Sequence, residues 1–224
     1  MLKTALLVSV LCIGVLTSPS LAAGNTPANA PGTLKVLFIG NSHVFVNNVT
    51  ARVRKRLQAL KGRTTIRAIT RGGARLLSFT HRQDVAAAIA ANDWDVVVLQ
   101  EATASFLSSQ GRRNFHQAIR WFTQKIPRRT QIVLYQTWPW RADSRYFAGT
   151  SSNSISLWKA MQHAYGKAAK RARITIAPVG RCWMNSVKRG SLYSSDGNHA
   201  SIAGSSLAAS VIARTIAGRS QRRC

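Results

Sequence analysis

Lys35-Val36-Leu37-Phe38-Ile39-Gly40-Asn41-Ser42-His43 is a short apolar run that breaks off at Gly-Asn-Ser. β-Branched and aromatic residues in a run of that length, cut by a Gly-Asn pair, read as a buried strand whose C-terminal end opens into a turn. In an open parallel sheet, ligands bind in the crevice outside the carboxyl ends of the strands. A serine there has its hydroxyl close to N–H groups of the turn and of the following helix. That setting suits a nucleophile, and it equally suits a plain turn or helix-cap serine.

Outward from this stretch the chain alternates strand and helix. Residues 47–61 are apolar at Val49, Val53, Leu57 and Leu60 with arginines between, a helical spacing that Gly62 ends. Residues 64–70 read as a β-branched strand stopping at Arg71-Gly72-Gly73, and 84–91 as an Ala-rich helix. The unbroken Val96-Val97-Val98-Leu99 within 94–99 predicts a strand buried on both faces. A helix at 114–126, a strand at 131–135, a helix at 155–171, a strand at 174–177, a loop at 178–195 and a last helix at 201–217 follow. Five such alternations predict an α/β protein with a five-stranded parallel sheet, right-handed crossovers and helices on both faces.

A chain of 224 residues with 46% hydrophobic content is enough for one domain with a real core. Residues 1–23, with Lys3, an apolar run from Ala5 to Leu16 and small residues after it, have the layout of a secretory signal peptide. That run is too short for a spanning helix, and nothing in the mature chain predicts a transmembrane segment. Residues 24–33 read as a flexible leader, 34–218 as the domain and 219–224 as a basic tail, so the expected location is periplasmic or extracellular. Cys182 and Cys224 would remain after export, either joined in one bridge or as two separate thiols, and no spacing suggests a metal site. The 32 Lys and Arg against 6 Asp and Glu, a formal +26, imply an anionic surface or polymer as partner. The basic residues are scattered and carry no nucleic-acid-binding signature, so no specific nucleic acid is expected.

The segments after each strand converge on one sheet edge, where the polar groups are Asn41 and Ser42, Gly72 and Gly73, Gln100 and Glu101, residues 137–140, and Ser195-Asp196-Gly197-Asn198-His199. Asp and His three apart at the start of a helix can face each other within one turn. The carboxylate would then accept the imidazole Nδ1–H while Nε2 points outward. With Ser42 across the crevice, the parts of an acyl-transfer triad are present.

Gly40-Asn41-Ser42, Gly72-Gly73 and Asp196-Gly197-Asn198-His199 resemble the first, second and fifth sequence blocks of the SGNH (GDSL-like) hydrolases, in the same order over nearly the whole mature chain. The resemblance implies a flavodoxin-like three-layer α/β/α fold and a cofactor-free esterase. In it Ser42 is the nucleophile, His199 the base and then acid, and Asp196 its partner. It also implies an oxyanion hole from the N–H groups of Ser42 and of Gly73 or Gly72, plus an Asn amide from a Gly-x-Asn-Asp block. This chain has Leu99-Gln100-Glu101-Ala102 there instead, so Gln100 is the candidate third donor.

Other residues have two readings. His43 is a packing residue or a second base; His81, His116 and His163 read as surface residues; Glu101 pairs with an arginine or lines the site. Asp84, Asp93 and Asp95 suit capping and turns. Trp138, Trp140 and Tyr146 are a substrate platform, with Asn41 beside them, or a plug closing the sheet end. Gly204 permits close packing of the last helix. The expected substrate is an O-acetyl or other short-chain ester of a carbohydrate or cell-envelope polymer. The alternatives are a weakly catalytic or non-catalytic binder of an anionic glycan, and a lipid or lysophospholipid esterase.

Overall fold

The computed structural model describes residues 32–91 and 93–219. The expected signal peptide, most of the leader, most of the basic tail and Cys224 lie outside the described residues. The elements run β1 (Leu34–Gly40), α1 (Ser42–Phe45), α2 (Val49–Lys61), β2 (Thr64–Thr70), α3 (Leu76–Phe79), α4 (Gln83–Ala90) and β3 (Val96–Gln100). Then come α5 (Ser109–Lys125), β4 (Gln131–Tyr135), α6 (Ser154–Ala172), β5 (Thr175–Ala177), α7 (Val179–Asn185) and α8 (Ile202–Ile216).

The strands form one sheet in the order β2-β1-β3-β4-β5, and every pair is parallel. This is the flavodoxin-like order, in which the chain reverses its direction of travel across the sheet between β1 and β3 and leaves a crevice at their carboxyl ends. Strand periodicity divides the core in two. Val36, Phe38, Val96, Val98, Val133 and Tyr135 face α2, α7 and α8. Their neighbours Leu37, Ile39, Val97, Leu99 and Leu134 face α3 to α6. The continuous apolar strands are therefore needed on both sides, as in parallel sheets generally.

The structure departs from the sequence reading mainly in short pieces. The α5 helix starts at Ser109 rather than 114, because Ser108 caps it by accepting the Gly111 N–H at 3.0 Å. The four-residue α1 and α3 fall between the expected elements and the seven-residue α7 inside the expected 178–195 loop, since pieces of one or two turns carry little periodicity. Cys182, on α7, is buried and disulfide-bonded.

The seat of α8 fixes the approach of the segment before it. A Cβ on Gly204 would meet the Leu192 carbonyl and the Trp183 ring, so only glycine lets the helix start lie this close. Gly204→Ala is expected to destabilise the protein by about 1–3 kcal/mol in urea unfolding. Gly166→Ala, in the middle of α6 with nothing within 4 Å, is expected to stabilise it by about 0.5–1 kcal/mol.

Candidate active site

Ser42 is the first residue of α1, directly beyond the end of β1. Asn41 caps this short helix in extended conformation, its Oδ1 accepting the His43 N–H at 3.2 Å. Its own N–H donates to Gln100 Oε1 at 2.7 Å and its Nδ2 to the Ala74 carbonyl at 3.0 Å. The serine turn is thus tied to the end of β3 and to the loop after β2. Gly40 has no room for a Cβ, whose place is taken by Gln100 Oε1 and by Val44.

Asp196 and His199 do face each other, but from a loop, since α8 begins at Ile202 behind its cap Ser201. The loop closes through the Ser194 N–H to the His199 carbonyl at 2.9 Å and a Tyr193–Ala200 antiparallel bridge. Asp196 Oδ1 accepts from Ser194 Oγ at 2.7 Å and from the N–H groups of Asn198 and His199 at 3.0 Å each. Its Oδ2 lies 2.6 Å from His199 Nδ1, and His199 Nε2 lies 2.8 Å from Ser42 Oγ. Burial pushes the Asp196 carboxyl up, but the donors from Asn198, Ser194 and His199 outweigh it and hold it well below the usual range. An ionised Asp196 fixes the proton on Nδ1 and leaves Nε2 as an acceptor for the Ser42 hydroxyl. Such an arrangement can activate a serine for attack on a carbonyl.

Several side chains assigned to the site by sequence are placed differently. Gln100 is fully buried, its oxygen held by Asn41 and its Nε2 donating to the Glu101 carbonyl at 2.6 Å. The Gln100 oxyanion assignment is therefore corrected: its amide is spent inside the protein, positioning the serine turn. Trp138 and Trp140 are corrected likewise, with 1% and 5% exposure. Trp138 stacks on Trp183 at 3.8 Å and donates its Nε1 to the Asn198 carbonyl at 2.9 Å, bracing the Asp-His loop from behind. Trp140 packs on Tyr146 and Phe147. These rings form the plug. Asn41, corrected from substrate contact, is buried with both ends of its amide occupied. Gly73 sits at φ +66 in the turn between β2 and α3, one residue from the Ala74 carbonyl that Asn41 grips. The N–H groups of Ser42 and Gly73 meet no acceptor among the described residues.

Sequence reasoning missed the residues that hold the Asp-His loop from the segment after β4. The Arg141 N–H donates to the Gly197 carbonyl at 2.7 Å and Ser144 Oγ to the Asp196 carbonyl at 3.0 Å. No local signal could have paired them, since more than fifty residues separate the segments. A cleft of about 410 Å³ beside Asp196 is lined by Arg141, Asp143, Arg145 and Ser195, so its charges nearly balance. Among the described residues no three of His, Cys, Asp or Glu converge as metal ligands.

Known structures share this geometry's framework. A protein from Slackia heliotrinireducens described as an SGNH hydrolase is 27% identical, with a TM-score of 0.72 over 83% of this chain and 100% of its own. This chain has the fold of the SGNH (GDSL-like) hydrolases. The same fold, at lower identity, is found in two further structures. A DUF4886 family protein from Bacteroides uniformis is 21% identical, TM-score 0.70, with 84% of each chain covered. The acetylxylan esterase Axe2 from Geobacillus stearothermophilus is 13% identical, TM-score 0.62, covering 85% of this chain and 97% of its own. No family model matches the sequence, and no curated protein does.

Two buried titratable groups flank the site of this SGNH-fold chain. Glu101 is buried and makes no ion pair among the described residues, with Arg75 acting on it only through its charge. It accepts the N–H groups of Leu76 and Ala102 and the Ser105 hydroxyl, and burial lifts its carboxyl from 4.5 to about 7. His43 lies edge-on to Trp138 at 5.0 Å and 5.5 Å from the His199 ring, its Nδ1 unpartnered among the described residues. Burial, then the neighbouring His199, lowers it from 6.5 to about 3 against the opposing pull of Asp196. The two act in opposite senses on stability. Glu101 keeps its proton in the fold, so its contribution is full below pH 4.5 and is lost as pH rises to about 7. His43 stays neutral in the fold, so its contribution is full above pH 6.5 and is lost as pH falls towards 3. Between pH 4.5 and 6.5 the two contributions have opposite slopes and offset each other. Urea midpoints of Glu101→Gln are expected to show stability falling on acidification through this window by about 1.4 kcal/mol per pH unit, and those of His43→Gln the reverse slope. Parallel profiles in all three proteins would refute the assignment.

Proposed function

We propose that this chain is an exported serine ester hydrolase acting on O-acetyl or other short-chain esters of a carbohydrate or cell-envelope polymer. The observation that carries the reading is the unbroken line from Ser42 Oγ through His199 to Asp196, at 2.8 and 2.6 Å. In the proposed reaction His199 Nε2 takes the Ser42 proton as Oγ attacks the ester carbonyl, and Asp196 stabilises the imidazolium. The tetrahedral oxyanion is received by the N–H groups of Ser42 and Gly73. His199 then protonates the leaving alcohol, and a water molecule activated by the same nitrogen releases the acid from the acyl-serine. With Gln100 turned inward the hole has one donor fewer than the family pattern, a loss worth about 10²–10³ in rate. The enzyme is therefore expected to be slow.

Two features support a short acyl group on a sugar: the tryptophans that could have formed an apolar platform are buried, and the acetylxylan esterase shares the fold. The lipid reading has one observation in its favour, the exposed Phe45 and Ile202, each three residues beyond Ser42 or His199.

Hydrolysis of p-nitrophenyl acetate, butyrate and octanoate by the chain expressed without residues 1–23 tests both. Acetate is expected to be preferred, with Ser42→Ala and His199→Ala lowering kcat by about 10⁴-fold or more and Asp196→Ala by up to about 10⁴-fold. A preference for octanoate that Phe45→Ser abolishes would select the lipid reading. Equal traces in wild type and all variants would leave a glycan-binding protein in place of an enzyme.

A further inference from the structure

All six acidic residues of the chain are engaged away from one face of the molecule. Asp93 and Asp95 hold Lys35, Asp84 holds Arg82, Asp143 holds Arg141, Asp196 holds His199, and Glu101 is buried on backbone N–H groups. Like the α2–β2 surface, the trough between α5 and α6 is a face they leave uncompensated, and it is the one of the two that is a cavity. Its upper part, about 200 Å³, is lined by His116, Arg120 and Arg171. Past Thr123 and Ala172 it widens into a cavity of about 560 Å³ at the start of β4 and β5, with Arg128 and Arg173 on its walls. Lys167 stands close enough to His116, with Arg171, to lower its basicity once burial has done so. No Asp or Glu lines either part.

The ordinary explanation for such residues is that cations cap helix C-termini. The ends of α5 and α6 together carry about one negative charge, against five full cations at Arg120, Arg128, Lys167, Arg171 and Arg173. Helix dipoles therefore leave most of the charge unexplained. Arg173 adds a second observation. It ends α6 in the left-handed region at φ 53, where glycine carries no steric penalty and arginine does. Its guanidinium is exposed on the trough wall and meets no carboxylate among the described residues.

We propose that this trough anchors the carboxylate groups of an acidic polysaccharide, the polymer whose esters Ser42 cuts; the choice of a carbohydrate rests on the proposed function. From Lys167 to Arg173 the cations extend over about 9 Å of helix, a spacing that suits a chain of repeated charges better than one small anion. The walls carry no Phe, Tyr or Trp on which bases could stack, which separates the trough from a single-stranded nucleic-acid groove. None of the exposed large hydrophobics Phe45, Ile155, Val187 and Ile202 lines it, which separates it from a lipid-inserting surface.

The test compares polygalacturonate binding, at fixed salt, by wild type and two variants of equal net charge. One carries Arg120→Gln, Lys167→Gln, Arg171→Gln and Arg173→Gln; the other carries Arg54→Gln, Lys55→Gln, Arg63→Gln and Arg67→Gln on the exposed surface of α2, β2 and the turn between them. The trough variant is expected to lose about tenfold in affinity while the second variant loses little, with neutral dextran bound by none. Equal losses in the two variants would overturn the proposal in favour of diffuse charge. So would DNA binding that depends on the trough while polygalacturonate binding does not. Hydrolysis of p-nitrophenyl acetate, measured on the same proteins, is expected to be unchanged by either variant. Trough-dependent binding without any esterase activity would keep the anchoring site and remove the ester reading, and esterase activity without trough-dependent binding would do the opposite.

Discussion

The hydrogen bond from the Asn41 N–H to the buried Gln100 oxygen, 2.7 Å long, is the constraint on which the position of Ser42 depends. It spans the reversal point of the sheet, where β1 and β3 lie side by side and send their connections to opposite faces. A turn at that point has backbone N–H groups that no strand can satisfy, and leaving one buried and unpaired costs about 1–3 kcal/mol. The Gln100 side chain meets that need in the space left by the missing Cβ of Gly40. The Asn41 side chain extends the tie to the loop after β2, so three strand ends are locked to one another around the serine.

The Asp-His loop is fixed by a different device. It is not helical, and its shape comes from hydrogen bonds to Asp196 within the loop and from the segment after β4 that leans on it. Ser194, Asn198 and His199 converge on one carboxylate, while Trp138, Arg141 and Ser144 donate to the loop's carbonyls from outside. Asp196 thereby orders its own loop and keeps its charge in a half-buried place. In a chain with so few acids the same carboxylate serves both ends.

The architecture was legible in the sequence because its signals are periodic. Val96 to Leu99 could only be a strand covered on both sides, and Val49, Val53 and Leu57 only one face of a helix. That Ser42, Asp196 and His199 come together was legible for a related reason: strand ends in a parallel sheet share one edge, so residues far apart in sequence meet there. What could not be read was the direction of individual side chains. Gln100 lies at a strand end in either role, and only the crowding against Gly40 decides that it points inward. The tryptophans after β4 are placed by stacking on Trp183, a partner from α7, a helix too short to announce itself.

The reassignment of Gln100 also explains why a glutamine there does not simply replace an asparagine. An oxyanion donor must present a free N–H to the crevice, whereas the turn at Asn41 demands an acceptor from the same strand end. The longer stem of glutamine lets the carbonyl reach under Gly40 to Asn41, and it leaves the Nε2 beside the Glu101 carbonyl, 2.6 Å away and enclosed. One amide cannot meet both demands from one rotamer. In this chain the structural demand wins, and any stabilisation of an oxyanion falls to backbone N–H groups whose positions that same amide holds.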